Sequence, residues 1–114
     1  MTVSNNLKID LDDGGNPTYG IDFCDVGFHS FLAASTEETV VVPPGRHLAI
    51  FSFGVGTDVF VLEDDGSGAA ILPGAGFTAT TQDLNPIARN VTPGQTLHFI
   101  SRTNSDVKVS FYVR

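Results

Sequence analysis

Cysteine is nearly absent. Cys24 stands alone, so no intrachain disulfide can form, whereas small secreted domains usually carry paired cysteines. Tryptophan is missing and only two tyrosines occur, Tyr19 and Tyr112. An exposed aromatic platform of the kind that stacks on sugars has little to be built from. Basic residues are scarce too: 6 Lys and Arg face 13 Asp and Glu, for a formal charge of −7. The chain lacks the cations that neutralise phosphates, so neither nucleic acid nor an acidic membrane surface is expected as a partner. No apolar run approaches the ~18 residues of a membrane span. Met1-Thr2-Val3-Ser4-Asn5-Asn6 has neither the basic region nor the apolar run of a secretion signal.

Catalytic patterns are also missing. His29, His47 and His98 sit in different segments without metal-ligand spacing, although His29 and His98 could still converge in space. Cys24 has no nucleophile signature, and no Gly-x-Ser-x-Gly elbow is present. The Gly-rich pieces lack the lysine and helix of a phosphate loop. Asp10-Leu11-Asp12-Asp13-Gly14 and Asp64-Asp65-Gly66-Ser67-Gly68 faintly resemble Ca²⁺ loops, but neither has the spaced distal glutamate. Asp22 and Asp25 are close enough for paired-acid chemistry, yet acids at a loop end are ordinarily solvated. The expectation is a protein without catalysis, cofactor or metal.

What is present is a repeat. Val42-Pro43-Pro44-Gly45-Arg46-His47-Leu48-Ala49-Ile50-Phe51-Ser52 and Val91-Thr92-Pro93-Gly94-Gln95-Thr96-Leu97-His98-Phe99-Ile100-Ser101 share Val, Pro, Gly, Leu and Ser at a constant offset of 49 residues. With one residue deleted after these strands, Asp58-Val59-Phe60-Val61 matches Asp106-Val107-Lys108-Val109. Proline fixes φ and removes a donor, so it ends a strand, and the adjacent glycine allows the reversal. Alternating apolar residues after each glycine indicate strands. Gly54-Val55-Gly56 and Asn104-Ser105 read as hairpin connections. Each copy is expected to be strand, turn, strand, turn, strand, and the two copies to be duplicated halves of one domain.

A chain of 114 residues is one domain by length. Residues 1–16 read as an extended N-terminal arm with Leu7, Ile9 and Leu11 as its anchoring side chains. Residues 17–114 read as the domain, with strands at Tyr19–Phe23, Val26–Ala33 and Glu37–Val42. Ser35-Thr36-Glu37-Glu38 has the pattern of a capping box, but the β-branched run to Val42 and the following proline favour a strand. Glu63–Gly68 is a loop, Ala69–Leu72 and Phe77–Thr81 are short strands, and Gln82–Pro86 is a connection. Eight or so short strands imply an all-β fold, a single β-sandwich of jelly-roll type.

The copies differ on the face opposite the shared core. The second carries His98, Ile100, Arg102, Lys108, Ser110 and Tyr112; the first carries Ala49, Phe51, Phe53, Phe60 and Leu62. Large apolar side chains gain roughly 1.5–3 kcal/mol each on leaving water, so something covers them. The cover is either the chain itself, through residues 1–11 or the second sheet, or another subunit. Phe51, Phe53, Phe60 and Leu62 are accordingly the candidate oligomer interface, with a trimer expected.

The run Val40-Val41-Val42-Pro43-Pro44-Gly45, the strand Asp58-Val59-Phe60-Val61 and the closing Val91-Thr92-Pro93-Gly94-Gln95-Thr96-Leu97-His98-Phe99 resemble small all-β virion proteins of tailed bacteriophages, nearest to capsid decoration, or cement, proteins. The likeness covers about residues 37–114 and is one of style rather than a diagnostic motif. It implies a non-catalytic protein of the virion, made in the host cytoplasm, that trimerises on the major capsid protein or another virion protein. The competing class is a glycan- or receptor-binding module of a phage fibre or tail. An enzyme ranks third.

Overall fold

The computed structural model describes residues 7–11, 17–21, 23, 24, 26–74, 76, 77 and 79–113, of which 7–11 and 17–21 by their backbone. Ten strands follow one another: β1 (Leu7–Leu11), β2 (Pro17–Ile21), β3 (Val26–Leu32), β4 (Glu38–Val41), β5 (Leu48–Phe53), β6 (Val59–Asp64), β7 (Asp83–Leu84), β8 (Ala88–Asn90), β9 (Thr96–Ser101) and β10 (Ser105–Tyr112). Among the described residues there is no helix. Strands β3-β10-β5-β8 form one antiparallel sheet and β4-β9-β6-β7 another. The two sheets pack as a β-sandwich.

The core follows from alternation along each strand. Leu32 from β3, Ala49 and Phe51 from β5, Val59 and Val61 from β6, Leu97 and Phe99 from β9, and Val107, Val109 and Phe111 from β10 form one buried cluster, with Val26, Val40 and Phe53 packed on it. Phe111 meets Phe28 edge-on at 5.9 Å, and Phe51 stacks with Phe53 at 6.1 Å. Pro-Gly turns deliver the strands. Gly45 and Gly94 adopt φ of 73° and 86°, where a β-carbon is disfavoured.

The sequence of sheets along the chain differs from expectation. Gly54–Gly56 and the turn before Ser105 were expected to close hairpins. Instead β5 and β6 lie in opposite sheets, as do β9 and β10, so both turns are arches between layers. The two arches touch: Gly54 N–H donates to Asp106 O at 3.0 Å and the Thr57 and Ser105 hydroxyls share a hydrogen bond of 2.9 Å.

The faces of β5 are also reversed. Registers decide this. Val40 lies opposite Leu97, and Arg89 lies opposite Ala49; Val59 lies opposite Ser101, and Val107 opposite Phe53. Residues of β4 and β8 therefore correspond at an offset of 49, but those of β5 and β9 already correspond at 48. The extra residue of the first copy sits in the turn before β5, not after the strand. A shift by one residue exchanges the faces of a strand. Ala49, Phe51 and Phe53 point into the sandwich, and Leu48 and Ile50 point away.

Among the described residues β1 and β2 pair only with each other, in the register Leu7–Ile21, Ile9–Tyr19 and Leu11–Pro17. The expected boundary between arm and domain at residue 16 falls inside this two-stranded sheet. Residues 1–6 and 12–16 of the expected arm lie outside the described residues. The expected strands at 69–72 and 77–81 are irregular: the described residues between β6 and β7 form no strand, and run across the outer face of β9. One short strand, β7, stands where a connection was expected, and β8 is the strand that precedes the second Pro-Gly turn.

Candidate functional site: a buried histidine between two carboxylates

The alternation that sends Leu97 and Phe99 inward sends His98 and Ile100 to the outer face of the sheet β4-β9-β6-β7. His98 is nevertheless buried, at 2% exposure. Its cross-strand neighbours are Thr39 and Leu62. The chain that leaves β6 passes over it. Gly66 packs towards the Thr96 side chain and Gly68 towards Asp64 and Leu62. Ala70 is buried, and Arg102 donates to the Pro73 carbonyl beyond it. Residues 65–74 thus form a strap over the sheet.

Two carboxylates flank the imidazole. Asp64 Oδ1 is 2.6 Å from His98 Nε2, and Glu37 Oε2 is 3.3 Å from Nδ1. The second contact is close enough for an ion pair but misaligned, so Nδ1 is buried without a hydrogen bond. Both acids also hold the strap. Asp64 accepts the Gly66 N–H at 2.7 Å and the Gly68 N–H at 2.9 Å; Glu37 Oε2 accepts the Ala70 N–H at 2.5 Å. The Gly66 N–H, with help from His98 and Gly68, lowers the Asp64 carboxyl below its ordinary value. Asp65 is lowered by the Ser67 hydroxyl and N–H.

Both acids of the arrangement accept backbone N–H groups of the strap. The two ring nitrogens point away from each other towards different acids, so the three groups do not converge on one cation. Among the described residues no group of three or more His, Cys, Asp or Glu is placed to hold a metal ion. Asp64 and Asp65, which resembled the start of a Ca²⁺ loop, spend oxygens on the amides of their own turn. Asp12, Asp13, Asp22 and Asp25 lie outside the described residues.

His29 is far from this site in topology. It lies on the outer face of the other sheet, exposed, with Nε2 4.0 Å from Asp106. His47 is exposed and Cys24 is half-buried. The expected interface does not form one face. Phe51 belongs to the domain's own core and Phe53 packs against it, because of the register shift in β5. Phe60 and Leu62 lie on the opposite side of β6 from the core, half-buried. Phe60 pairs across strands with Ile100 and Leu84, while Leu62 meets the strap. Leu7, Ile9 and Leu11 occupy β1, whose side chains lie outside the described residues.

Sequence reading missed the role of His98. Its partners are 61 and 34 residues away in the chain, and only the strand order brings them together.

Two clefts open between the sheets. One, of about 140 Å³, runs between the edge strands β3 and β4 and is largely apolar, lined by Phe28, Leu32, Val40 and Phe99. The other, of about 240 Å³, lies by β7 and β8 and carries Glu63, Thr81, Asp83 and Arg89. There Arg89 Nε donates to Asp83 at 3.0 Å, and Glu63 accepts the Thr92 N–H at 2.9 Å. No described helix is long and apolar enough to cross a membrane. Compared with protein-family models, curated proteins and solved structures, the chain matches none of them.

Proposed function

We propose that this protein is a non-catalytic structural component of a bacteriophage particle, a capsid decoration protein that binds the major capsid protein or another virion protein. The observation that carries the reading is the β1–β2 sheet, which among the described residues is hydrogen-bonded to neither sheet of the sandwich. An isolated two-stranded sheet is marginal in water, and so suits an anchor that is completed by a neighbour. The net charge of −7 and the use of Glu37 and Asp64 on the chain's own backbone favour a structural over a catalytic role.

The fold within this reading is a jelly roll built by duplication. Exchanging β3–β6 with β7–β10 converts the order β3-β10-β5-β8 into that of β4-β9-β6-β7, and the registers follow the same exchange. The subunit contact, in a trimer, centres on Phe60 with its exposed neighbour Leu84 and with Ile71, which is also exposed. Phe51 and Phe53 drop out of it.

Purified particles examined by mass spectrometry should contain the chain at a copy number comparable to that of the shell protein, and light scattering should give three times the chain mass. Absence from particles overturns the assignment. The polar cleft beside Arg89 favours a second reading, a glycan- or receptor-binding module of a fibre or tail. Glycan-array binding that is lost in Arg89→Ala would replace the first reading with this one.

A further inference from the structure

We propose that Glu37, His98 and Asp64 form a charge latch that locks residues 65–74 over the outer face of the β4-β9-β6-β7 sheet, and that releasing the latch bares an apolar surface around Leu62 and Ile100.

An ionised carboxylate only accepts hydrogen bonds, and a neutral imidazole donates from one nitrogen alone. His98 presents a carboxylate oxygen to each nitrogen, at 2.6 Å and 3.3 Å. A neutral ring would turn one lone pair towards an anion in a buried site. The imidazolium form faces both acids with N–H, and the misaligned contact at Nδ1 still gains by Coulomb attraction, which needs no alignment. A buried charge persists where it is paired, and here the ring is buried while the acids are only three-quarters covered.

The latch reaches the strap through the same acids. Asp64 holds the Gly66 and Gly68 amides, and Glu37 holds the Ala70 amide. Three of the strap's anchors therefore converge on one imidazole. Arg102 to Pro73 and the paired hydrogen bonds of Ile71 with Gln82 lie further along and would remain as tethers. On this outer face Leu62, which is half-buried, lies against the strap, and Ile100, which is buried, lies two residues along β9 from His98. Neither belongs to the inter-sheet core, so the strap can leave without opening that core.

Two measurements test this. In the folded wild type, ¹⁵N-detected NMR of the His98 ring should show protons on both nitrogens. A single-tautomer neutral ring overturns the proposal. Second, Glu37→Gln keeps an acceptor for Ala70 and removes the charge. Hydrogen exchange at Gly68 and Ala70 should rise at least tenfold, binding of a hydrophobic dye should increase, and β10 amides should stay protected. Unchanged exchange in Glu37→Gln means that the hydrogen bond alone holds the strap, and the latch is refuted. His98→Gln should release the strap further. Should His98→Gln unfold, the Glu37→Gln result decides. Equal acceleration in the strap and in β10 would also refute it, since the strap would then not open separately.

Discussion

The two outer faces of the sandwich are built on corresponding strands, yet they carry opposite chemistry. Phe60 and Lys108 take equivalent places, as do Leu62 and Ser110, and His98 and Ile50. The face bearing Phe60, Leu62 and Ile100 is roofed by the connection that leaves β6. On the other outer face Lys108 and Ser110 are half-buried and His29 is exposed, although Leu48 and Tyr112 at its far end are buried. The difference teaches that an apolar side chain on an outer face goes with local cover. The 18-residue passage from β6 to β7 supplies that cover at Leu62, where the equivalent place on β10 carries Ser110.

This contrast can be broken at several levels. The largest effect is expected between the layers. Phe51→Ala should cost about 3–5 kcal/mol, as for a fully packed core phenylalanine, while Phe60→Ala, half-buried on the roofed face, should cost about 1.5 kcal/mol. Chemical denaturation reads both, and equal losses would place Phe60 in the core. The double substitution Phe51→Ser with Phe53→Ser should unfold the domain rather than free a monomer. Next come the two Pro-Gly turns. Gly45→Ala and Gly94→Ala should each cost about 1–2 kcal/mol from the left-handed backbone alone, since an added β-carbon meets nothing within 4 Å at either place. Markedly unequal costs would argue against equivalent turns.

The outer faces themselves give smaller effects. Leu62→Ser should cost about 1–2 kcal/mol, whereas Ser110→Leu should change stability by no more than about 0.5 kcal/mol. The smallest expected signal is in acid. The Asp64 carboxyl is lowered by the Gly66 N–H and by His98. Its contribution is therefore fully present above the ordinary carboxylate range and is lost as pH falls through the lowered value. Asp64→Asn should flatten the acid limb of a stability-against-pH curve. An unchanged limb would show that Asp64 contributes no linkage.

Much of the sandwich was legible in its punctuation. Val-Pro-Gly turns and alternating strands marked β4, β5, β6, β9 and β10, because proline and glycine act locally. The facing of β5 was not legible. Leu48, Ala49, Ile50 and Phe51 are apolar on both sides, and Leu48 is buried although it points away from the core. Periodicity therefore could not say which parity faced inward, and the shared Leu and Ser fixed the wrong alignment. The strap looked like two strands because Ala69–Leu72 and Phe77–Thr81 have strand-like residues. The structure instead satisfies part of its backbone from side chains: Gln82 both donates to and accepts from Ile71. The latch was invisible for a different reason. Its three members are single polar residues in three separate segments, and no spacing rule joins them.

The order of strands has a consequence for how the protein is made. In the sheet β3-β10-β5-β8, and in β4-β9-β6-β7, every neighbour of a strand from the first half of the sandwich comes from the second half. A nascent chain on the ribosome that has exposed β3 to β6 thus has four strands and no mutual ladder among them. Pairing can begin only with the short ladder of β6 with β7 and is completed when β8 to β10 emerge, and closing such distant contacts is slow. During synthesis the alternating segments Leu48–Phe53 and Val59–Asp64 remain unpaired and vulnerable to association with other chains. Truncation anywhere before β10 leaves β3 and β5 without the strand that lies between them. The sandwich should therefore accumulate as folded material only once β10 has emerged from the ribosome, and should depend on chaperones that hold extended apolar strands.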